Sequence, residues 1–277
     1  HYPDIKKSKS SAVDLLKIVL NKQISLICEW MRVGFIHGVM NTDNMTISGD
    51  TIDYGPCAFM DKYDPGTVFS SIDHQGRYAY YNQPRIAKWN LERFAESLLP
   101  LIDNDSKVAI EIAAGVLKEF PEKYKNKWLK MMKKKLGLVG NDHNDAQLII
   151  ELLSWMHQNK ADYTNTFCYL MNEYNLNDEI YNEKNFILWK KKWGDRIKLN
   201  NNSLEKSLKI MRKVNPLVIP RNHLVEEALS YATKMNDLNK VIELLNVLEN
   251  PYSNISATSF YQSTPNSEEN YVTYCGT

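Results

Sequence analysis

The sequence is short of several things at once. Among 277 residues it has four cysteines, Cys28, Cys57, Cys168 and Cys275, with no Cys-x-x-Cys pair and no histidine at metal-ligand spacing. That excludes a zinc module and a disulfide-dense secreted scaffold, and makes a reducing compartment the expectation. The 11 Gly and 10 Pro are too few for a collagen-like or low-complexity chain. Charge of one sign is also missing, since 34 Lys+Arg face 33 Asp+Glu for a net +1. A protein held on a nucleic-acid backbone or an anionic membrane needs a stronger basic bias, so neither partner is expected. No run of about 18 apolar residues occurs, which removes a membrane-spanning helix from consideration. The longest apolar-rich stretch, Val13 to Phe35, is broken by Asp14, Lys17, Lys22, Glu29 and Arg32 and reads as a soluble helix. The start, His1-Tyr2-Pro3-Asp4, has neither the basic and apolar regions of a signal peptide nor an initiator Met, so a chain cut from a longer one is expected.

What is present is ordinary globular material, 43% hydrophobic and 24% charged, enough for one or two sizeable cores. Ser10-Ser11 with Asp14 resembles a capped helix start, and Val13, Leu16, Leu20, Ile24, Ile27 and Met31 continue a helical stripe to Gly34, a suitable C′ residue. Met45-Thr46-Ile47 and Asp50-Thr51-Ile52 flank Ser48-Gly49 and predict a small hairpin. With the turn centred between Ser48 and Gly49, Ile47 pairs with Asp50 and Asn44 faces Asp53. Residues 56–84, rich in Gly, Asp, Tyr and Pro, form a segment too long for a simple link. From Ala87 on, helices are predicted at 87–101, 105–120, 123–136, 144–158, 163–173, 183–199, 204–214, 223–235 and 238–248. A polar stretch, 251–277, reads as an irregular tail. Lysines 123, 125, 127, 130, 133, 134 and 135 read as the solvated face of a helix with an apolar stripe beneath, and Trp89, Cys28 and Cys168 as core.

The chemistry sits in His37-Gly38-Val39-Met40-Asn41-Thr42-Asp43-Asn44, followed by the hairpin and Asp53-Tyr54-Gly55. This is the layout of a kinase catalytic loop followed by its Asp-Phe-Gly metal motif. The position of the kinase base is Val39, which cannot accept a proton, while Asp43 offers a carboxylate just before Asn44. His37 reads as a packing histidine behind the loop.

The run HGVMNTDNMTISGDTIDYGP resembles the selenoprotein O family, also called SelO or YdiU. So do FMDKYDPG, DHQGRYAYYNQP, WNLERFAESLLPL, ADYTNTF and NPLVIPRNHLVEEAL. The resemblance implies a mainly α fold, a protein-kinase-like large lobe over 1–250 with a small β-hairpin at the active site. In it the catalytic and metal loops occupy 37–55 and an activation-like segment 56–84. It implies transfer of AMP from ATP to protein Ser, Thr or Tyr hydroxyls with pyrophosphate leaving. Asn44 and Asp53 would bind nucleotide through Mg²⁺ or Mn²⁺, as hard oxygen donors do, and Asp43 would be the catalytic carboxylate. Arg77, Tyr78, Tyr80 and Asn82, in the equivalent of an activation segment, would either contact nucleotide or substrate or simply pack the loop. Neither a Gly-rich phosphate loop nor a strand lysine of the Val-Ala-Ile-Lys kind occurs, so the small N-terminal lobe is expected to be absent and the chain inactive alone. Rival readings are phosphotransfer with Asp43 as base, and a non-catalytic redox-responsive scaffold. Some family members carry selenocysteine near the C-terminus, so Cys275 with Cys57 is a candidate redox pair. A cytoplasmic site in a bacterium, or a mitochondrial one in a eukaryote, follows from the same likeness.

Overall fold

The computed structural model describes residues 1–174, 178–199, 202–265 and 271–274. A central helix, α1 (Ser11–Val33), buries the stripe Leu16, Leu20, Ile24, Ile27 and Met31. It ends where the sequence says it should, at Gly34 in the left-handed region with φ 75°. A Cβ there would stand 3.2 Å from the Tyr163 ring, so the position is closed to side chains as well as bent. The start differs from expectation, because Ser10 makes no capping bond. Instead the Ser8 hydroxyl donates to the Asp14 carboxylate at 2.5 Å.

Around α1 pack α2 (Gln83–Ile102), α3 (Ser106–Lys118) and α4 (Phe120–Lys135). The chain continues through α5 (Asp145–Gln158), α6 (Tyr163–Leu170), α7 (Lys184–Ile197) and α8 (Leu204–Arg212). Beyond them lie α9 (Asn222–Met235), α10 (Asn239–Leu248) and the single turn α11 (Thr258–Tyr261). The large hydrophobic core gathers on α1. A smaller one joins Val218, Leu224 and Ala228 to Leu244, Val247 and Tyr261. Predicted helices and observed ones coincide except at their ends. Phe120-Pro121 opens α4 three residues early, since proline is tolerated in the first turn, and α6 stops at Leu170, short of 173.

The strand content is displaced from where the sequence suggests. The two-stranded antiparallel sheet joins β1 (Phe35–Ile36) to β2 (Ala58–Phe59), pairing Phe35 with Phe59 and Ile36 with Ala58. The predicted hairpin is reduced to one bridge, Met45 with Thr51. Its register is one residue away from the expected one, so Asn44 does not face Asp53. The Thr46 hydroxyl is responsible: it donates to the Asp50 carbonyl at 2.9 Å and accepts from the Asp50 amide at 3.1 Å. A three-residue loop therefore forms, with Gly49 at φ 79°. The stretch read as an irregular tail contains α11, and Gln262 beside it is fully buried.

Buried charge fixes how the outer helices sit. Arg196 on α7 donates through Nε and Nη2 to the Asp145 carboxylate at 2.6 and 3.2 Å, and Lys133 reaches the same carboxylate at 2.9 Å. Arg221 is 1% exposed and reaches Asp61 and Asp162, each at 2.5 Å. Burial alone would lower its basicity, but the two carboxylates outweigh it and hold the guanidinium above its usual value. Lys135 departs from the solvated-face reading. It is 1% exposed, donates to the Arg32 carbonyl at 2.8 Å and stands 3.8 Å from the Phe167 ring centroid. Burial, then the nearby Arg32 charge, pushes its ammonium well below the ordinary lysine value.

Burial pushes the Asp145 carboxyl up, but hydrogen bonds from Arg196 and Lys133 prevail and hold it below the usual carboxylate range. A group depressed in the folded state stabilises above its unfolded pKa, and that stability is lost as pH falls through the folded value. Urea midpoints of the wild type should therefore drop on acidification below about pH 4. Asp145→Asn should begin about 3 kcal/mol less stable at pH 7, with Arg196 unpaired, and lose less on acidification. Parallel acid slopes for the two proteins would reject the assignment.

Candidate active site

The loop that follows β1 is held from α2. Gln83, fully buried in the first turn of that helix, accepts from the His37 amide at 3.1 Å and donates from Nε2 to the Phe35 carbonyl at 3.0 Å. Its side-chain amide thus takes the place of a neighbouring strand. Two turns on, Asn90 Nδ2 donates to the Met40 carbonyl at 2.9 Å. The Tyr78 hydroxyl donates to Asn41 Oδ1 at 2.7 Å and ties the 56–84 segment to the same loop. Gly38 has φ 84°, and a Cβ on it would lie 2.5 Å from the Pro56 carbonyl oxygen, so the loop passes the segment that follows Asp53-Tyr54-Gly55 at backbone contact.

His37 is fully buried, with its ring 5.3 Å from Trp30 and 6.3 Å from Phe35. Its Nε2 lies 2.9 Å from the Ile52 carbonyl, which can only accept, so the proton is on Nε2. Burial holds the imidazole below the ordinary histidine value, against the opposing pull of the Ile52 hydrogen bond and the Asp53 charge. It is a packing histidine, as read from the sequence, with one added duty: it fixes the residue before Asp53 to the catalytic-type loop.

Asn44 closes a short 3-10 turn, Thr42–Asn44, and is 9% exposed. Its Nδ2 donates to the Val39 carbonyl at 3.0 Å, which turns Oδ1 away from that bond and leaves it without a protein donor among the described residues. Asp53 adopts φ 54°, a left-handed conformation uncommon outside glycine. Side chains of Asp43 and Asp53 are exposed and make no hydrogen bond or ion pair among the described residues. The bridge places Asn44 across from Ile52, so Asp53 stands one position beyond direct opposition, and its left-handed backbone, not strand alternation, sets where its carboxylate goes.

Asp43 and Asp53, together with Oδ1 of Asn44, thus present oxygens without protein partners among the described residues at the border of the loop. No group of three His, Cys, Asp or Glu at metal-binding spacing occurs among the described residues. An Asn–Asp pair suits Mg²⁺ or Mn²⁺, which take oxygen donors and fill remaining positions with water and phosphate.

Residues around the loop divide. Tyr80 is core, its hydroxyl donating to the Met31 carbonyl at 2.7 Å, and buried Asn82 donates to the Arg77 carbonyl at 2.7 Å. Arg77 stays exposed. Trp89, expected in the core, is half-buried, with the Arg77 and Arg93 guanidinium carbons 4.9 and 5.2 Å from its ring centroid. Cys28 and Cys168 are buried as expected, and Cys57 is half-buried with its thiol pushed up by burial. Cys275 lies outside the described residues. Sequence reasoning missed Gln83 and Asn90; the signal available was a polar Asn-Gln-Pro at a helix start, where side-chain amides reach a neighbouring backbone.

Comparison with known proteins agrees with this arrangement of motifs. A family model described as "Protein adenylyltransferase SelO" matches residues 1–249, and the chain belongs to that family. It is 55% identical over its whole length to Protein nucleotidyltransferase YdiU of Pelagibacter ubique and covers 57% of that protein. The YdiU proteins of Alcanivorax borkumensis and Nitrosococcus oceani are 50% and 49% identical over the whole chain, which covers 57% and 56% of them. The chain therefore spans little more than half the length of these relatives. Among the described residues no helix is long and apolar enough to cross a membrane.

Gly38→Ala should cost about 2 kcal/mol or more, because it meets a backbone oxygen in a left-handed conformation. Gly115→Ala, exposed on α3 with nothing within 4 Å of the added Cβ, should stabilise by about 0.5–1 kcal/mol. Thermal melting of the two variants against wild type checks both signs.

Proposed function

We propose that this chain carries the catalytic machinery of an ATP-dependent protein adenylyltransferase, on a fold equivalent to the large lobe of a protein kinase. One observation carries the reading: Asp43, Asn44 and Asp53, on loops joined by the His37–Ile52 hydrogen bond, keep their oxygens free of protein partners. Family membership supports the transfer of a nucleotidyl group. Val39, where a kinase keeps its base, supports a departure from ordinary kinase chemistry.

In this mechanism Asp43 accepts the proton of a Ser, Thr or Tyr hydroxyl as that oxygen bonds to the α-phosphorus of ATP. The bond from α-phosphorus to the bridging oxygen breaks, and pyrophosphate leaves. Asn44 and Asp53 would hold the divalent ion, which supplies charge neutralisation at the phosphates. His37 and Gln83 touch no substrate; they set the two loops in register. Exposure of Asp43 leaves it accessible to an incoming protein hydroxyl.

The redox reading of Cys57 and Cys275 has one support. Thr273, two residues before Cys275, donates its hydroxyl to the Pro56 carbonyl at 2.8 Å, beside Cys57. A disulfide there would restrain the segment that Tyr78 ties to the catalytic-type loop. Oxidation followed by peptide mass mapping should find the Cys57–Cys275 link, and a Cys275 thiol that stays free would reject it.

ATP labelled separately at the α and γ positions distinguishes the readings when given to the protein produced from its complete gene. Label from the α position is expected on protein. Label from γ would establish phosphotransfer with Asp43 as base, and neither would establish a scaffold. Asp53→Ala should lower α-label transfer by at least about a hundredfold, from loss of a metal ligand, with the fold retained and stability lowered by only about 1–2 kcal/mol, the cost of alanine in a left-handed position.

A further inference from the structure

Arg77 has a fixed position and no assigned charge partner. Asp73 holds the backbone around it, accepting from the Arg77 amide at 2.8 Å and from the Tyr78 amide at 2.7 Å. Asn82 clamps the Arg77 carbonyl. The guanidinium carbon stands 4.9 Å from the Trp89 ring centroid and 5.6 Å from that of Tyr78. Cation–π contacts of this kind restrain the group and leave its N–H donors available to an anion. No carboxylate pairs with the Arg77 side chain among the described residues, and the side chain is exposed. Arg93, the other guanidinium on Trp89, is by contrast bound to Glu96 at 2.6 Å.

The place of Arg77 relative to the site is also defined. Its neighbour Tyr78 bonds Asn41, two residues before Asp43. Trp89 adjoins Asn90, whose amide holds Met40. A pocket of about 300 Å³ beside this surface is lined by Thr42, Met45, Ile47, Arg93 and Phe94. Arg77 is thus linked to the loop on the side of the proton acceptor, where an acceptor hydroxyl must arrive. Asn44 and Asp53, assigned to the nucleotide, make no contact with Arg77 among the described residues.

We propose that Arg77 is a specificity-determining residue that binds an acidic side chain of the acceptor protein, close in sequence to the hydroxyl that is modified. The inference rests on the adenylyltransferase reading, but its ligand is an oxyanion on the acceptor and not the nucleotide. A guanidinium offers a carboxylate two parallel N–H bonds, and here part of its ordering precedes acceptor binding because two rings already restrain it. Arg93, neutralised by Glu96, does not compete for the same group.

The test measures equilibrium binding, by fluorescence anisotropy, of Ser-centred peptide pools carrying either Glu or Gln at each flanking position. The protein is that of the complete gene, loaded with a non-hydrolysable ATP analogue. At least one Glu position should bind about tenfold tighter than its Gln counterpart, as expected for a charge-assisted pair. Raising NaCl from low to high concentration should erase that preference in the wild type, a readout that needs no variant. Arg77→Gln should remove the preference while leaving the affinity for the ATP analogue unchanged, and Arg77→Lys should restore part of it. Equal binding of Glu and Gln pools by wild type overturns the proposal. So does a loss confined to the ATP analogue in Arg77→Gln, which would assign the arginine to nucleotide phosphate. Absence of α-label transfer by the wild type would instead strike the adenylyltransferase reading, while the binding preference would still report on Arg77.

Discussion

Everything at the site depends on the side-chain amide of Gln83. Buried at the start of α2, it bonds the backbone on both sides of Ile36, accepting from His37 and donating to Phe35. A two-residue strand paired on one side only with β2 would otherwise leave those groups buried and unpaired, at about 1–3 kcal/mol each. The amide satisfies both and thereby makes the loop that begins at His37 a rigid extension of α2. Asn90 repeats the device at Met40. Asp43 and Asp53 then need no partners of their own, and Asn44 keeps Oδ1 available while its Nδ2 bonds Val39.

A second level of organisation is electrostatic. Arg221 binds Asp61 and Asp162, and Asp162 also caps α6 by accepting from the Asn165 amide at 2.7 Å. The start of the 56–84 segment, α6 and the entry to α9 are thereby held at one buried point, which Gln262 completes by accepting from Asn165 Nδ2 at 2.9 Å. Such a cluster is weak evidence for net stability, since desolvation opposes the Coulomb attraction, but removing one member leaves an uncompensated charge. Its effect is positional: it stops the segment that carries Arg77 and Tyr78 from drifting away from the loop.

Hydrophobic periodicity made the helices legible, because burying one face of a helix demands apolar residues at 3.6-residue spacing wherever the helix goes. The stripe from Leu16 to Met31 and the stop at Gly34 were readable for that reason. Local competition was harder to read. The Thr46 hydroxyl captured both backbone groups of Asp50 and moved the 45–51 pairing by one residue, a side-chain effect that strand patterning does not encode. Lys135 was hidden among exposed lysines because its burial depends on two aromatic rings supplied by α6.

The sequence by itself determined the helical class and the extent of α1, since these follow from periodicity, and it put Asp43, Asn44 and Asp53 forward as candidates through motif order along one chain. Only the tertiary structure decided that Gln83 and Asn90 hold the loop, that His37 donates to Ile52, and that the Arg77 guanidinium lies over Trp89. Each of these joins residues from separate elements, and a side chain's partners across such gaps are set by packing of whole helices, which no local pattern records.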